Sequence, residues 1–458
     1  MATTYTRPSD WLAMPTVASS AQTFVGLFAV NNHGGNYVAL RATTNTGNYQ
    51  VDWGDGNITT HTSNTTAEYQ YAYSGLSDST ICSRGYKQVL VRVTPVTGNI
   101  LTFTLNRIHS ALGATISKKT TWLEWLVNFP NLSSGTSFNT YLGNSPRHSW
   151  CEKVTISHIG GMTDMGAVFG SMTGLKQANI TATTTGLTST YNMFTSCHNL
   201  VSVNLFDTRN VTNATVMFQN CYNLEEVPNF NLSKVTQAAT MFQNCYNLKT
   251  VPAFDMRLNI DFSGMFSGCG NLTEIGLMDT RSGTHFNNFA IGCIKLKTVA
   301  NLNMSAATTA TSAFLNCFLL DNFPAITLGN TNCNLTSFFS STGSMKTVGN
   351  MDVSKATNFG NFFSGGHSLR NLPPLNLNSG TTLTTMVSPV MASAPFTNVR
   401  ASLNLANKNL GRLSIIEVFN GLASGVTSRT ITVSANPGFA ALTATDRLIA
   451  TAKGWTIA

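Results

Sequence analysis

The stretch MFQNCYNLEEVPNFNLSKVTQAATMFQNCYNLKTVP, residues 217–252, contains the octapeptide MFQNCYNL twice, with the two copies 24 residues apart. The cysteine of this octapeptide recurs at the same interval on both sides of the stretch. A fixed period of this length is the signature of a solenoid, in which each coil buries its apolar side chains against its neighbours. Six cysteines mark the period: Cys197, Cys221, Cys245, Cys269, Cys293 and Cys317.

Apolar residues keep step with these cysteines. A phenylalanine precedes the cysteine by three residues in every repeat except at Ala290, and a leucine follows it by three. Two further apolar rows begin at Val203 and Phe206, and we expect all four rows to point inward. The last row is followed by a short amide or carboxylate of the kind that bonds neighbouring backbone at a turn: Asp207, Asn231, Asp255, Asp279 and Asn303.

The period extends beyond the cysteines in both directions. With one inserted residue it continues through Phe339 and Phe363, and an earlier, degenerate copy contains Phe169. The sequence therefore predicts a solenoid of about nine coils over residues 165–390.

The cysteine row admits two interpretations. Disulfides need a β-carbon geometry that a regular stack does not automatically supply, so the prediction is a structural ladder of free, buried thiols that act as small hydrophobes. Occasional oxidation of these thiols is the alternative. Zinc sites use closely spaced cysteine pairs or nearby histidines, and the cysteines here are at least as far apart as Cys317 and Cys333. We predict no metal and no cofactor.

The repeat resembles that of BspA-like bacterial surface proteins, which are relatives of leucine-rich-repeat proteins. The family pattern D-T-S-x-V-T-x-M-x-x-M-F-x-x-C-x-x-L is matched here by Asp207, Thr208, Val211, Thr212, Met217, Phe218, Cys221 and Leu224. The resemblance covers residues 165–390 and implies a leucine-rich-repeat-like solenoid, with a strand and a short helix in each coil, and a role in binding rather than catalysis. The sequence departs from the pattern at Ala290, Thr342 and Gly366.

Before the repeats, short alternating segments predict a β-sandwich over residues 21–115. The segments are TFVGLFAV, NYVALRAT, YQVDWGDG, YQYAYS, KQVLVRVTPV and LTFTLNR. The stretch VDWGDG, residues 51–56, together with the tyrosines that follow it, resembles the PKD-type immunoglobulin-like domain. This resemblance implies a buried Trp53, a tight turn at Asp55-Gly56 and a spacer or binding role.

The remaining segments complete a mainly β fold with short helices. Residues 1–20 are expected to form an N-terminal arm that docks onto another protein, and residues 116–164 a transition and N-terminal cap. Residues 391–458 are expected to form an α/β C-terminal cap of helix, strand and helix. Capping-box spacing places the two helix starts at Ser414 with Glu417 and at Thr443 with Asp446, and Gly454 is expected to end the second helix.

Composition and charge argue against several functions. The net charge of +8 is spread thinly over the chain, so no nucleic-acid-binding stripe is expected, and no apolar run approaches a membrane span. The eight histidines share no metal or triad spacing. The adjacent Glu225 and Glu226 do not face one another across a substrate, and Asp52 and Asp55 are interpreted as turn formers. We predict that the protein is not an enzyme.

The start of the chain points to a function. The opening MATTYTRPSDWLAMPTVASS lacks the basic start and apolar core of a signal peptide. The phrases RPSDWLAMP, FVGLFAV and GYKQVLVRVTP resemble the start of tailed-phage structural proteins. That resemblance implies a virion protein that is made in the host cytoplasm and serves as tail fibre, knob or capsid decoration. Such a protein would attach to other virion proteins and bind a host surface glycan or protein through its solenoid.

Two other functions remain open. The first is a bacterial cell-surface adhesin of the BspA-like class. The second is a glycan-cleaving tail spike, which would need two carboxylates close together in a groove. The self-association of copies is also open.

Two tyrosines are candidate ligand contacts. Tyr222 and Tyr246 lie at matching places, each directly after a repeat cysteine. Protruding aromatic side chains dominate many interfaces, which makes these two residues the predicted binding positions. The alternative is that both are ordinary half-buried residues between coils.

Overall fold

The chain is described by a computed structural model for residues 5–33, 35–105, 109–112, 120–133, 138–139, 148–182, 184–328, 332–388 and 390–458. It is mainly β and forms a solenoid of about 13 turns. The contacts divide it into two compact units, unit 1 (Met1–Leu232) and unit 2 (Ser233–Ala458).

Unit 1 holds twelve of the described strands. They are β1 (Thr23–Val30), β2 (Tyr37–Thr44), β3 (Tyr49–Asp52), β4 (Ile58–His61), β5 (Thr66–Gln70), β6 (Lys87–Pro95), β7 (Ile100–Thr104), β8 (Trp122–Phe129), β9 (Phe138–Asn139), β10 (Lys153–Ile159), β11 (Gln177–Ile180) and β12 (Ser202–Val203). One sheet has the order β5-β2-β7-β9, and an eight-stranded sheet has the order β12-β11-β10-β8-β1-β6-β3-β4.

The first part of unit 1 is a sandwich of these two sheets. The ring of Phe24 on β1 lies 4.8 Å from that of Phe103 on β7, measured between ring centroids. Trp53 is fully buried, as predicted. Asp55 accepts the backbone N–H of Asn57 at 3.0 Å, and Gly56 has a φ of 95°, so the predicted turn is confirmed.

The predicted strands match the observed ones with local differences. Three of the six segments coincide closely with β1, β2 and β6. Strand β3 covers the first half of YQVDWGDG, and β7 covers the start of LTFTLNR, whose last two residues lie outside the described part. The segment YQYAYS is shifted, because β5 ends at Gln70 and a 3₁₀ turn follows at Tyr73–Gly75. The prediction missed β4, whose four residues are exposed or half-buried and so carry no alternating apolar pattern.

Strand β8 joins the sandwich to the solenoid without a linker. It pairs antiparallel with β1 on one side and parallel with β10 on the other. The parallel ladder continues from β10 to β11 and then to β12. The predicted transition, residues 116–164, therefore contains shared strands where it is described, and the coils begin before residue 165. This early start is one reason why the turns outnumber the predicted nine.

Residues 5–20 dock on their own chain. Trp11 is buried in a cluster with Leu27, Tyr86 and Leu123, and its indole N–H donates to the hydroxyl of Tyr86 at 3.1 Å. The guanidinium of Arg7 donates to the carboxylate of the buried Glu124 at 2.5 Å. The predicted arm is therefore held by an apolar anchor and an ion pair, and residues 1–4 lie outside the described part.

Unit 2 contains short strands and two helices. They are β13 (Glu274–Ile275), β14 (Thr298–Val299), β15 (Asn322–Phe323), β16 (Ile326–Thr327), β17 (Cys333–Asn334), β18 (Thr347–Val348), β19 (Met351–Asp352), β20 (Ala356–Asn358), β21 (Leu375–Asn376), β22 (Phe396–Thr397), β23 (Leu403–Asn404), α1 (Arg412–Gly421), β24 (Arg429–Thr432), α2 (Ala444–Thr451) and β25 (Trp455–Ile457). Every pair formed among these strands is parallel.

The four apolar rows point into the coils, as predicted. Phenylalanines such as Phe194 and Phe266 and leucines such as Leu200 and Leu272 are fully buried. Val251 is the exception, because it is only half-buried. Rings in the phenylalanine row stack on their neighbours in the next coil, as Phe194 does on Phe218 with 5.4 Å between centroids. The apolar spacing therefore identified the core of the solenoid.

Nine of the coils turn through a segment with two left-handed residues. Asn192 and Ser196 have φ values of 63° and 60°, and the same two positions are left-handed at Gly264 and Gly268. The N–H of Ser196 donates across to Gln219 of the next coil, whereas the N–H of Cys197 donates back to Phe194. The short helix implied by the BspA-like resemblance is wrong for these coils, because a helix would direct its N–H groups into its own coil.

The second predicted capping box is confirmed and the first is wrong. Thr443 and Asp446 form a complete capping box at the start of α2. Helix α1 begins earlier than predicted, after Gly411, and the hydroxyl of Ser414 donates instead to the carbonyl of Ala392 at 2.6 Å. A serine one turn inside a helix is free to bond a neighbouring segment.

The C-terminal cap continues the parallel ladder. Helix α2 ends at Thr451, and the chain turns at Gly454 with a φ of 90° before entering β25. Strand β25 pairs parallel with β24, which pairs parallel with β23. Trp455 is buried, and its indole N–H donates to the carbonyl of Ala423 at 3.0 Å. These strands add turns beyond the predicted nine, because coils continue through the segment that was assigned to the cap.

Candidate binding surface

The repeat cysteines lie inside the coils and bond the preceding coil. All six are fully buried, and Cys197, Cys269, Cys293 and Cys317 are free thiols. The thiols of these four, and that of Cys221, donate to a backbone carbonyl 27 or 28 residues earlier, at 3.1–3.2 Å. Burial raises the pKa of Cys293 to about 12. The row therefore holds neighbouring coils together and presents no reactive thiolate.

The carboxylates of the coils serve in turns, as predicted. Asp207 accepts the backbone N–H of Arg209 at 3.1 Å, and Asp255 accepts that of Arg257 at 3.3 Å. The side chain of Arg257 also bonds Asp255, and this hydrogen bond is the largest cause of the lowered pKa of that carboxyl. Within the described residues, no group of three His, Cys, Asp or Glu side chains could hold a metal ion.

The residue directly after each cysteine, or after its equivalent, belongs to a surface row that we name the post-cysteine row. Its members are His198 and Tyr222 in unit 1 and Tyr246, Gly270, Ile294, Phe318, Gly343 and His367 in unit 2. Tyr246, Ile294 and Phe318 expose 48%, 45% and 47% of their surface. In unit 2 the row therefore presents large apolar side chains to solvent.

The two predicted tyrosines differ in exposure. Tyr222 is half-buried, and its ring stacks on that of His198 with 4.5 Å between centroids and an interplanar angle of 11°. Burial lowers the pKa of His198. Tyr246 is exposed. Of the two, Tyr246 is the better placed for a ligand, and Tyr222 fits the alternative of a packed residue between coils.

An asparagine ladder lies beside the post-cysteine row and was not predicted from the sequence. The side-chain amide of Asn223 donates to Asn199 at 3.1 Å in unit 1, and that of Asn271 donates to Asn247 at 3.0 Å in unit 2. Lys295 continues the ladder by donating to Asn271 at 2.7 Å. The signal was present, because an asparagine stands two residues after four successive repeat cysteines. The ladder aligns the coils and so holds the post-cysteine row in register.

Of the helices in the described residues, neither is long and apolar enough to span a membrane. The carbonyl groups of His198, Tyr246 and Phe318 each accept an N–H from the following coil, so the backbone under the row is held at these three places.

Similarity to known proteins covers part of the chain. Residues 163–279, well under half of the chain, match the family described as Mycoplasma protein of unknown function, DUF285. The comparison with curated proteins finds no significant match. Among solved structures, a leucine-rich repeat protein from Eubacterium ventriosum is similar at 15% identity and a TM-score of 0.30, over 53% of this chain and 70% of that one.

Proposed function

We propose that this protein is a non-enzymatic binding protein that contacts a host cell surface through the post-cysteine row. The observation that carries the proposal is the exposure of Tyr246, Ile294 and Phe318 in unit 2. Protein interfaces are enriched in large apolar side chains that project from a rigid scaffold. Many copies of such a weak surface would bind through avidity.

The engagement of the carboxylates supports a role without catalysis. Asp207, Asp255 and Asp279 each bond the backbone of their own turn and an arginine two residues on. A carboxylate held in this way is occupied within its own turn, whereas glycoside hydrolysis needs a pair of carboxyl groups that face a substrate.

The finer proposal is that the protein belongs to a tailed-phage virion, as tail fibre, knob or capsid decoration attached to other virion proteins. Its support is the resemblance of RPSDWLAMP, FVGLFAV and GYKQVLVRVTP to the start of phage structural proteins, together with the PKD-like stretch at residues 51–56. The second candidate is a BspA-like bacterial surface adhesin, which is favoured by the match of residues 163–279 to a Mycoplasma family.

The binding role is tested with the labelled full-length chain on host cells. Replacing Tyr246 and Phe318 together by alanine removes two exposed ring systems and should weaken cell binding by at least about tenfold. Tyr191→Ala is the matched control, because Tyr191 is equally exposed and lies outside the row. A Tyr222→Ala, Tyr246→Ala pair tests the predicted tyrosines directly. Unchanged binding of both double variants would exclude the row as the contact.

Location is tested separately by immunogold electron microscopy with antibody against the purified chain. Gold on the tail or capsid of released particles supports the virion role. Gold on the envelope of intact cells, with bare particles, supports the adhesin. The outcome of the cell-binding test with the alanine variants does not depend on which of these two locations is found.

A further inference from the structure

A groove of about 460 Å³, which we name the junction groove, lies in unit 1 where the sandwich meets the first coils. Arg84 and Tyr86 line it from the sandwich, and Trp150, Glu152 and Lys176 line it from the first coils. Its volume falls within the range of small-molecule sites, roughly 300–1,000 Å³. The groove shares no residue with the post-cysteine row, so its role does not depend on the function proposed for that row.

The charged side chains of the groove leave an excess of positive charge. The carboxylate of Glu152 accepts from the guanidinium of Arg84 at 2.7 Å and pairs with the ammonium of Lys176 at 3.0 Å. The side chain of Glu152 is only 10% exposed, whereas those of Arg84 and Lys176 are 45% and 35% exposed. A ligand in the groove therefore contacts the cations of Arg84 and Lys176, whose two positive charges are balanced only in part by the single carboxylate of Glu152.

These two cations are held in place before any ligand arrives. The guanidinium of Arg84 lies 5.5 Å from the ring centroid of Trp11, and the ammonium of Lys176 lies 5.5 Å from that of Tyr5. Each contact is within cation–π range. Side chains that are already ordered lose less conformational entropy on binding, which favours affinity for an anion.

An exposed indole stands beside the cations. Trp150 is 40% exposed, and its ring centroid lies 6.3 Å from that of the buried Tyr86. The turn that carries Trp150 presses on the first coil, because a β-carbon at Gly174 would lie 2.0 Å from the carbonyl oxygen of Ser149. This close approach holds the indole at the wall of the groove.

We propose that the junction groove binds an acidic sugar, whose pyranose ring stacks on Trp150 while its carboxylate pairs with Arg84 and Lys176. The apolar face of a sugar ring suits an exposed indole, and a carboxylate suits a fixed guanidinium with a neighbouring ammonium. A neutral sugar would leave the surplus charge unmatched, and a simple anion would leave the indole uncovered. The combination selects a ligand that carries both features.

The proposal is tested by isothermal titration calorimetry of the full-length protein with methyl β-D-glucuronide, methyl β-D-glucoside and acetate. The glucuronide should bind at least about tenfold more tightly than either of the others, because only it makes both contacts. Trp150→Ala and Lys176→Gln should each weaken glucuronide binding by about tenfold or more. Tyr191→Ala, which removes an equally prominent aromatic outside the groove, should bind like the wild type.

Several outcomes would overturn the proposal. They are the absence of glucuronide binding at millimolar concentration, equal binding of the glucoside or of acetate, and wild-type binding by a Trp150→Ala protein with an unchanged melting temperature. If Trp150→Ala does not fold, Lys176→Gln decides the question, because Lys176 is a partly exposed side chain whose loss leaves Arg84 on Glu152. Wild-type binding by that variant would also be contrary to the proposal.

Discussion

The thiol of Cys293 donates a hydrogen bond of 3.1 Å to the carbonyl oxygen of Phe266, 27 residues earlier in the preceding coil. Beyond the last repeat cysteine, Thr342 occupies the equivalent place, fully buried, and its hydroxyl donates to the carbonyl of Phe339 at 2.8 Å. Both side chains are small, and both supply a donor to a buried carbonyl group. The Cys293 bond crosses to the preceding coil, whereas the Thr342 bond stays within its own coil, so the repeat cysteine adds a hydrogen bond between coils to its packing.

Replacing Cys293 by alanine should destabilise the protein by about 1–2 kcal/mol, because it removes the thiol's hydrogen bond and opens a small cavity, while the carbonyl of Phe266 keeps the backbone N–H of Cys269 as a donor. Urea denaturation measures the change. Thr298→Ala, an exposed position in the same coil, should change the free energy of unfolding by less than about 0.5 kcal/mol. Equal effects of the two substitutions would show that the thiol contact contributes nothing.

The nine cysteines should resist a thiol reagent in the native protein. All of them are buried, and burial raises the pKa of Cys197, Cys269, Cys293, Cys317 and others well above that of a free thiol. Titration with a chromogenic disulfide at pH 8 should detect almost no reactive thiol until denaturant is added. Rapid reaction of the native protein would place at least one cysteine at the surface.

Stability should fall in alkali. The pKa values of Cys293 and Cys333 are raised to about 12, whereas an unfolded thiol ionises near 8.5. The native state therefore holds its protons when the unfolded state has lost them. The contribution is fully present below about pH 8.5 and is lost as pH rises towards 12.

Melting temperatures between pH 7 and pH 10.5 measure this loss. Cys293→Ala removes one of the responsible thiols, so its melting temperature should decline less steeply with pH than that of the wild type. If the melting temperatures of the two proteins declined equally with pH, groups other than Cys293 would cause the loss of stability in alkali.

A strained turn residue can be relieved. Val216 is β-branched and has a φ of 52°, at a position where other coils have Asn192, Gly264 or Asn288. Asparagine tolerates the left-handed region better than valine, so Val216→Asn should stabilise the protein by about 0.5–1 kcal/mol. Val201→Asn, at a half-buried valine with ordinary backbone, should not stabilise it. A loss of stability at position 216 would mean that side-chain packing there outweighs backbone strain.

The start of helix α2 should be sensitive to acid. The hydrogen bond from Arg412 is the largest cause that lowers the pKa of Asp446 to about 2, below the ordinary value near 3.9. The stabilising contribution of this carboxylate is therefore present above about pH 4 and is lost as pH falls through 2. Asp446→Asn should lower the melting temperature at pH 6, and the difference from the wild type should shrink at pH 2. A difference that is independent of pH would exclude the ionised form as the source.

The sequence alone determined the period, the inward rows and the turn role of the short amides and carboxylates. These features follow from local spacing, since a residue's place within a 24-residue repeat decides whether its side chain reaches the core. The left-handed residues were within reach too, because asparagine, serine or glycine precedes each repeat cysteine.

Only the tertiary structure decided how the modules join. Strand β8 is shared by the sandwich and the coils, and Trp11 is buried in a cluster with residues of the sandwich and of β8. Arg84, Glu152 and Lys176 meet at the junction groove. These contacts connect residues that are far apart in the chain and outside any repeat. Their pairing depends on how packed surfaces meet, which the spacing of side chains along the sequence does not specify.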